Sequence, residues 1–247
     1  MISEATIQKL IKMRLSVMAD TYRQQLASQD YQQLTFEERF GLLVDSEYLN
    51  RRNNHLKRLI KNAEFSISTA TIEGIEYYAD RELPKGLIIE LSAGTYLANK
   101  RNVIILGPTG AGKTYLSCAL GVAACRNDYS VKYIRLPELL NEIVLSRSTG
   151  QYHRVIKKYQ KVTLLIIDEW LLVPLNEIES RDLLEIIEKR SSTGSTIFCS
   201  QFGPAGWHQK IGQGTLADAI LDRIIHNAYT ITISGTESMR KRKSQIR

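Results

Sequence analysis

Residues 107–114 read Gly107, Pro108, Thr109, Gly110, Ala111, Gly112, Lys113 and Thr114, an octet of the kind that holds phosphate. Its glycines let the backbone turn so that successive N–H groups point inward at phosphate oxygens. An apolar run, Val103 to Leu106, precedes it, and a helix-like stretch from Tyr115 to Ala124 follows. Strand, glycine loop and helix in that order bring the positive end of a helix dipole to the same phosphates. Lys113 is expected to reach the β- and γ-phosphates of a nucleoside triphosphate, and Thr114 to place its hydroxyl on Mg²⁺. Tyr115, directly after the octet, joins the nucleotide contacts.

The apolar run Leu164-Leu165-Ile166-Ile167 ends in two carboxylates, Asp168 and Glu169. Asp168 is expected to bind Mg²⁺, directly or through water. Glu169 is expected to polarise an attacking water as general base. The next apolar run ends Cys199-Ser200-Gln201. A polar side chain there can touch the γ-phosphate or position the water, with Gln201 the first choice and Ser200 the second. Arg223 lies on a late helix, where an arginine can reach a neighbouring subunit's nucleotide. Arg240 can lean over the phosphates of its own subunit. The walls of the base pocket are sought near Tyr77, Tyr78 and Tyr96.

These residues need elements to carry them. Apolar runs at Asn102–Leu106, Val131–Ile134, Val162–Ile167, Thr196–Ser200 and Tyr229–Ile233 read as strands. Helical stretches lie between them, about Thr114–Arg126, Pro137–Leu145, Ser180–Ser191 and Thr215–Ile225. Strands without polar alternation fit a parallel sheet buried on both faces, and the alternation of elements fits an α/β sandwich. Ile88 to Ala98 reads as one helix before the first strand. Ahead of it, residues 64–86 read as a linker that wraps toward the nucleotide pocket, and the domain of residues 64–247 begins there.

Residues 1–63 read as a small all-helical module. Ile7, Ile11, Leu15, Met18, Tyr22 and Leu26 recur at helical spacing, as one opening helix. Thr35-Phe36-Glu37-Glu38 reads as a capping box for a second helix, to about Asn62 and ~40 Å long.

The net charge is +7, and its distribution points to nucleic acid. Arg147, Arg154, Lys157, Lys158 and Lys161 fall in a stretch without an acid and are candidate DNA contacts. Arg51, Arg52, Lys57, Arg58 and Lys61 form a second cluster, and Arg240, Lys241, Arg242, Lys243 and Arg247 a third. Cys118, Cys125 and Cys199 match no zinc spacing and read as buried free thiols, and the histidines show no metal spacing. Trp170 and Trp207 read as packing residues, Trp207 nearer a surface loop. No run approaches the ~18 apolar residues of a membrane helix and no signal peptide is visible, so a cytoplasmic protein is expected.

The set GPTGAGKT, LLIIDE, SQ, AILDRIIHNA and GTESMR, in this order, resembles the IstB family. Its members are AAA+ helper ATPases of bacterial insertion sequences, related to the DnaC helicase loaders and the DnaA initiator. Glu47 and Arg51-Arg52 fit the E-x-x-x-R-R pattern of its N-terminal module. The resemblance implies an AAA+ P-loop NTPase fold, with a five-stranded parallel sheet ordered 5-1-4-3-2. It implies an ATP- and Mg²⁺-dependent homo-oligomer on double-stranded DNA that stimulates a DDE transposase, in the bacterial cytoplasm at the nucleoid. Arg223 then matches the intersubunit finger and Arg240 the sensor arginine. Gln201 stands where DnaC-like relatives commonly have Asn. The helical segment from about Leu136 to Lys161 resembles an extra helix that faces DNA. A replicative helicase loader and a non-enzymatic, nucleotide-dependent scaffold are the competing classes.

Overall fold

Five short strands, three of them almost wholly buried, form one parallel sheet. In the computed structural model, which describes residues 2–212, 214–235 and 237–245, they are β1 (Asn102–Leu106), β2 (Val131–Arg135), β3 (Leu164–Asp168), β4 (Ser195–Ser200) and β5 (Ala228–Thr232). Their order is β2-β3-β4-β1-β5, the 5-1-4-3-2 arrangement read from the other edge, and every pairing is parallel. Parallel strands need crossovers, and helices supply them. Among the described residues, Thr236 of the GTESMR stretch and Arg247 of the basic tail are not included, nor is the side chain of Lys243.

The chain divides into two compact units, one up to Arg58 and one from Leu59. The first holds α1 (Ile2–Lys12), α2 (Ser16–Ala27), a 3-10 turn (Gln29–Gln33) and most of α3 (Phe36–Ala63). The single opening helix expected from periodicity is two helices. Arg14, at φ 61°, breaks it. The Leu15 amide donates to the Leu10 carbonyl and the Arg14 amide to the Ile11 carbonyl, both at 2.9 Å, which closes α1 with a left-handed cap. Thr35 and Glu38 form the expected capping box: the Thr35 amide donates to Glu38 and the Glu38 amide to Thr35 Oγ1.

Glu47 and Arg51 act together within this unit. The buried Glu47 carboxylate accepts from the Met18 amide at 3.1 Å and from Arg51 Nε at 2.7 Å. Arg51 Nη2 also donates to the Arg14 carbonyl at 2.7 Å. The pair thus clamps the α1–α2 corner onto α3. Burial pushes the Glu47 carboxyl up, but the hydrogen bonds from Arg51 and Met18 outweigh it and hold it below the usual range. Arg51 therefore leaves the basic cluster it was grouped with.

In the second unit a 3-10 turn (Ala79–Arg81), α4 (Lys85–Ser92) and α5 (Thr95–Ala98) precede β1. The single helix expected over Ile88–Ala98 is interrupted by Gly94 at φ 84°. Then come α6 (Lys113–Arg126), α7 (Leu136–Ser148), α8 (Tyr152–Lys161), α9 (Glu177–Thr193), α10 (Pro204–Ile211), α11 (Gly214–Ile225) and α12 (Met239–Gln245). The segment after β2 is two helices, parted at Gly150 (φ 68°). Helix α6 is buried from Leu116 through Cys125, so its own sequence shows no apolar stripe.

Trp170, Phe198 and Trp207 pack together, with Trp170 and Phe198 centroids 4.7 Å apart. Trp207 is fully buried on α10 rather than beside a surface loop. Arg190 is buried as well, and binds the carbonyls of Tyr159, Val162, Thr163 and Ser195 and the hydroxyl of Thr196. It thereby ties the end of α9 to the turns before β3 and β4, and burial pushes its guanidinium down to about 9.

Candidate nucleotide-binding site

The C-terminal ends of the parallel strands carry the chemistry, as open α/β sheets require. The loop of residues 107–112 leaves β1 and feeds α6, whose first residue is Lys113. Gly110 (φ 82°) and Gly112 (φ 94°) take backbone conformations that a side chain strains. Space also demands glycine: a Cβ on Gly110 would meet Ser238 at 2.6 Å, and one on Gly112 would meet Arg81 Nη2 at 2.9 Å.

Lys113 Nζ donates to the carbonyls of Gly107 at 2.7 Å and Pro108 at 2.9 Å. Burial pushes this amine down, and the Asp168 carboxylate is among the groups that oppose the shift. Thr114 Oγ1 donates to Asp168 Oδ2 at 2.7 Å. Asp168 also accepts from the Tyr133 hydroxyl at 2.9 Å and from the Glu169 amide at 2.8 Å. The Tyr133 hydroxyl is buried beside this carboxylate, and both effects push its pKa up, so it stays a donor.

Glu169, at φ 54°, turns out of the strand toward β2. There Arg135 Nη2 donates to both of its carboxylate oxygens, at 2.7 and 2.8 Å. Arg135 is the register partner of Asp168, so β2 delivers it to the neighbouring carboxylate. The general base expected at Glu169 is thus held by an arginine that motif reading passes over. Its signal was available, because Arg135 is the charged end of a strand next to the acidic strand tip.

These groups line one cavity of about 540 Å³. Its wall includes Lys113, Thr114, Tyr115, Asp168, Glu169 and Arg240. The segment over residues 66–81 contributes Ser66, Ile67, Ile75, Glu76 and Arg81, none singled out from the sequence. Tyr77, Tyr78 and Tyr96 do not line it. Tyr96 is buried in the core and Tyr78 lies under the guanidinium of Arg242, at 4.6 Å.

A smaller cavity of about 90 Å³ is lined by Thr109, Gly110, Lys113, Asp168, Glu169, Gln201 and Arg240 among others. Gln201 therefore faces the carboxylates. Ser200 does not: its buried hydroxyl donates to the Trp170 carbonyl at 2.9 Å and accepts from Trp207 Nε1 at 3.0 Å. Ala111 is buried, and its carbonyl accepts from Arg81 Nη2 at 2.8 Å. Arg223 lines neither cavity and binds Glu188 at 2.8 Å and the Ala219 carbonyl at 2.9 Å. All three cysteines are buried and free, and burial pushes each thiol up.

A family model described as "IstB-like ATP binding protein" matches residues 8–246. The chain belongs to that family. An insertion-sequence ATP-binding protein of Sinorhizobium fredii is 40% identical over 241 residues, covering 98% of each chain. Another from Pseudomonas aeruginosa, named for insertion sequence IS21, is 28% identical over 246 residues, covering 98% of this chain and 91% of that one. Among solved structures, AMPPCP-bound DnaA from Aquifex aeolicus superimposes with a TM-score of 0.59 at 20% identity. It covers 72% of this chain, which spans 55% of the DnaA chain. DnaI gives 0.56 at 23% identity, over 68% of this chain and 89% of its own. The fold of this IstB-family chain is that of the AAA+ proteins.

No helix among the described residues is long and apolar enough to cross a membrane. The basic face was expected to offer five cations, and two of them are engaged. Arg147 pairs with Asp182 and lies over the Tyr152 ring, while Lys158 binds Glu142 at 2.8 Å. Arg154, Lys157 and Lys161 are exposed along one side of α8, opposite the buried Ile156 and Tyr159.

Proposed function

We propose that this chain is a Mg²⁺-dependent ATPase that assembles as a homo-oligomer on double-stranded DNA and recruits and stimulates the DDE transposase of its mobile element. The convergence of Lys113, Thr114, Asp168 and Glu169 on one cavity carries the reading. The naming of its relatives as insertion-sequence ATP-binding proteins supports the setting, a bacterial cytoplasm at the nucleoid.

Each residue has a task. The loop amides of residues 107–114 and the Lys113 ammonium take the phosphates, Lys113 exchanging two backbone carbonyls for phosphate oxygens. Thr114 and Asp168 offer two hard oxygen donors 2.7 Å apart, which suits Mg²⁺. Bound there, the metal would neutralise charge on the phosphate oxygens. Glu169 accepts the proton of the attacking water once Arg135 releases it. Gln201 and Arg240 border the smaller cavity, where they orient the water and the terminal phosphate. Arg223 serves a neighbouring subunit's nucleotide after giving up Glu188. Residues 1–63 choose the protein partner, and the domain of residues 64–247 supplies the motor. DNA is gripped through the phosphate backbone by Arg154, Lys157 and Lys161, with Arg147 and Lys158 joining only if their acidic partners yield.

ATP turnover and sedimentation of the full chain with ATP and duplex DNA test this. Wild type should hydrolyse ATP and sediment as an oligomer only with nucleotide, and Lys113→Ala should do neither. Equal assembly by the two proteins would refute the nucleotide-bridged scheme. A helicase loader is the competing reading. Preference for single-stranded DNA would favour it.

A further inference from the structure

Asp168 accepts from three groups, and one of them has no place in the nucleotide motif. Tyr133 and Arg135 lie two residues apart on β2, so they leave the strand on one face. Arg135 takes Glu169, while the Tyr133 hydroxyl donates to Asp168 Oδ2 at 2.9 Å. Thr114 Oγ1 donates to the same oxygen at 2.7 Å, and the Glu169 amide donates to Oδ1 at 2.8 Å. The bond between Tyr133 and Asp168 is buried, with the two residues 6% and 5% exposed. Both line the large cavity beside Lys113 and Thr114.

A carboxylate offers about four lone-pair sites. Thr114 and Tyr133 fill those on Oδ2 and the amide fills one on Oδ1, so a single site stays open. One site suffices for a hydrogen bond from a metal-bound water, or for one direct bond to a cation. It does not suffice for a grip through both oxygens. Mg²⁺ keeps several of its waters and takes few protein oxygens, whereas Ca²⁺ takes about six to eight oxygen ligands and accepts a bidentate carboxylate. A bidentate grip would expel the Tyr133 hydroxyl from Oδ2 and leave a buried donor unpaired, which is costly. We propose that Tyr133 is a positioning residue whose hydroxyl holds Asp168 for Mg²⁺ and against Ca²⁺, so that a side chain outside the glycine loop and the acidic strand tip selects the cation. The inference rests on the nucleotide reading above and deepens it, since Thr114 and Asp168 by themselves offer oxygen to either ion.

Calorimetric titration of the full chain with AMPPCP tests it, in saturating Mg²⁺, in saturating Ca²⁺ and in EDTA. Wild type should bind the Mg²⁺ complex more tightly than the Ca²⁺ complex, on the order of tenfold. Tyr133→Phe keeps the ring and removes only the hydroxyl. It should bring the two complexes within about threefold of each other, chiefly by a gain in the Ca²⁺ complex. In EDTA the two proteins should bind AMPPCP alike. Equal wild-type affinity for the Mg²⁺ and Ca²⁺ complexes overturns the assignment, whatever the variant does. A ratio unmoved in Tyr133→Phe, with both complexes weakened alike, overturns it too and leaves the hydroxyl a packing role. So does a variant that loses as much affinity in EDTA as in Mg²⁺, because that loss does not involve the cation. Failure of wild type to bind AMPPCP under all three conditions defeats the nucleotide reading itself.

Discussion

Arg135→Gln probes the hold on Glu169. The two contacts, 2.7 and 2.8 Å, come from one guanidinium nitrogen, and the side chains are 47% and 32% exposed. At that exposure an ion pair contributes about 0.2–1 kcal/mol, since water and salt screen it. Freeing Glu169 from a hold of ~1 kcal/mol raises the population of unrestrained carboxylate about fivefold. Basal ATP turnover without DNA should therefore rise up to about fivefold in Arg135→Gln, if release of Glu169 limits it. The unfolding free energy should change by no more than ~1 kcal/mol. A coupled assay over an ionic-strength series supplies the control, because salt should lift the wild-type rate and leave the variant nearly flat. A fall of Arg135→Gln to the level of Glu169→Gln would refute the reasoning and assign Arg135 to the phosphates, which it is placed to meet on the same cavity wall.

Three further outcomes follow from other parts of the molecule. Replacing Arg154, Lys157 and Lys161 by Ala together should flatten log K against log salt for duplex binding by about 2.7 per protomer engaged, at ~0.9 per phosphate contact. The same change at Arg147 and Lys158 should do less, because both are paired internally. Arg190→Ala should lower the stability read by urea unfolding, by about 1–3 kcal/mol for each buried carbonyl that it leaves unsatisfied. The clamp at Glu47 makes a pH test. Its folded carboxyl lies below the usual carboxylate range, so its contribution is complete above the ordinary value and disappears as pH falls through the folded one. Glu47→Gln should therefore lose part of the stability change between about pH 6 and pH 3. An equal acid slope in both proteins would mean that the Arg51 and Met18 contacts do not favour the charged form.

What could be read from the chain alone was what neighbours in sequence determine together. The octet, the apolar run into Asp168 and Glu169, and the strand–helix alternation are local patterns, and the sheet returned them in the 5-1-4-3-2 order. Periodicity does not show the break in the opening helix, because Arg14 takes a conformation that glycine or asparagine usually marks. The expectation that Trp207 sits nearer a surface loop fails because its indole reaches the core and donates to the Ser200 hydroxyl. Ser200 itself shows why residue type at a strand tip does not assign a sensor: one position decides whether the hydroxyl faces the cavity or the packing of Trp170 and Trp207.

The groups that refine the site all come from elsewhere in the chain. Arg135 reaches Glu169 because β2 lies beside β3, and Arg81 reaches the phosphate loop because residue 112 has no side chain. Arg135 leaves a signal only once β2 is known to lie beside β3, and Arg81 leaves none. A motif therefore marks where phosphate would be held, and the packing around it restrains the carboxylate expected to act as base. The first property is local and belongs to any glycine loop of this type. The second depends on a single side chain, Arg135, which a neighbouring strand delivers.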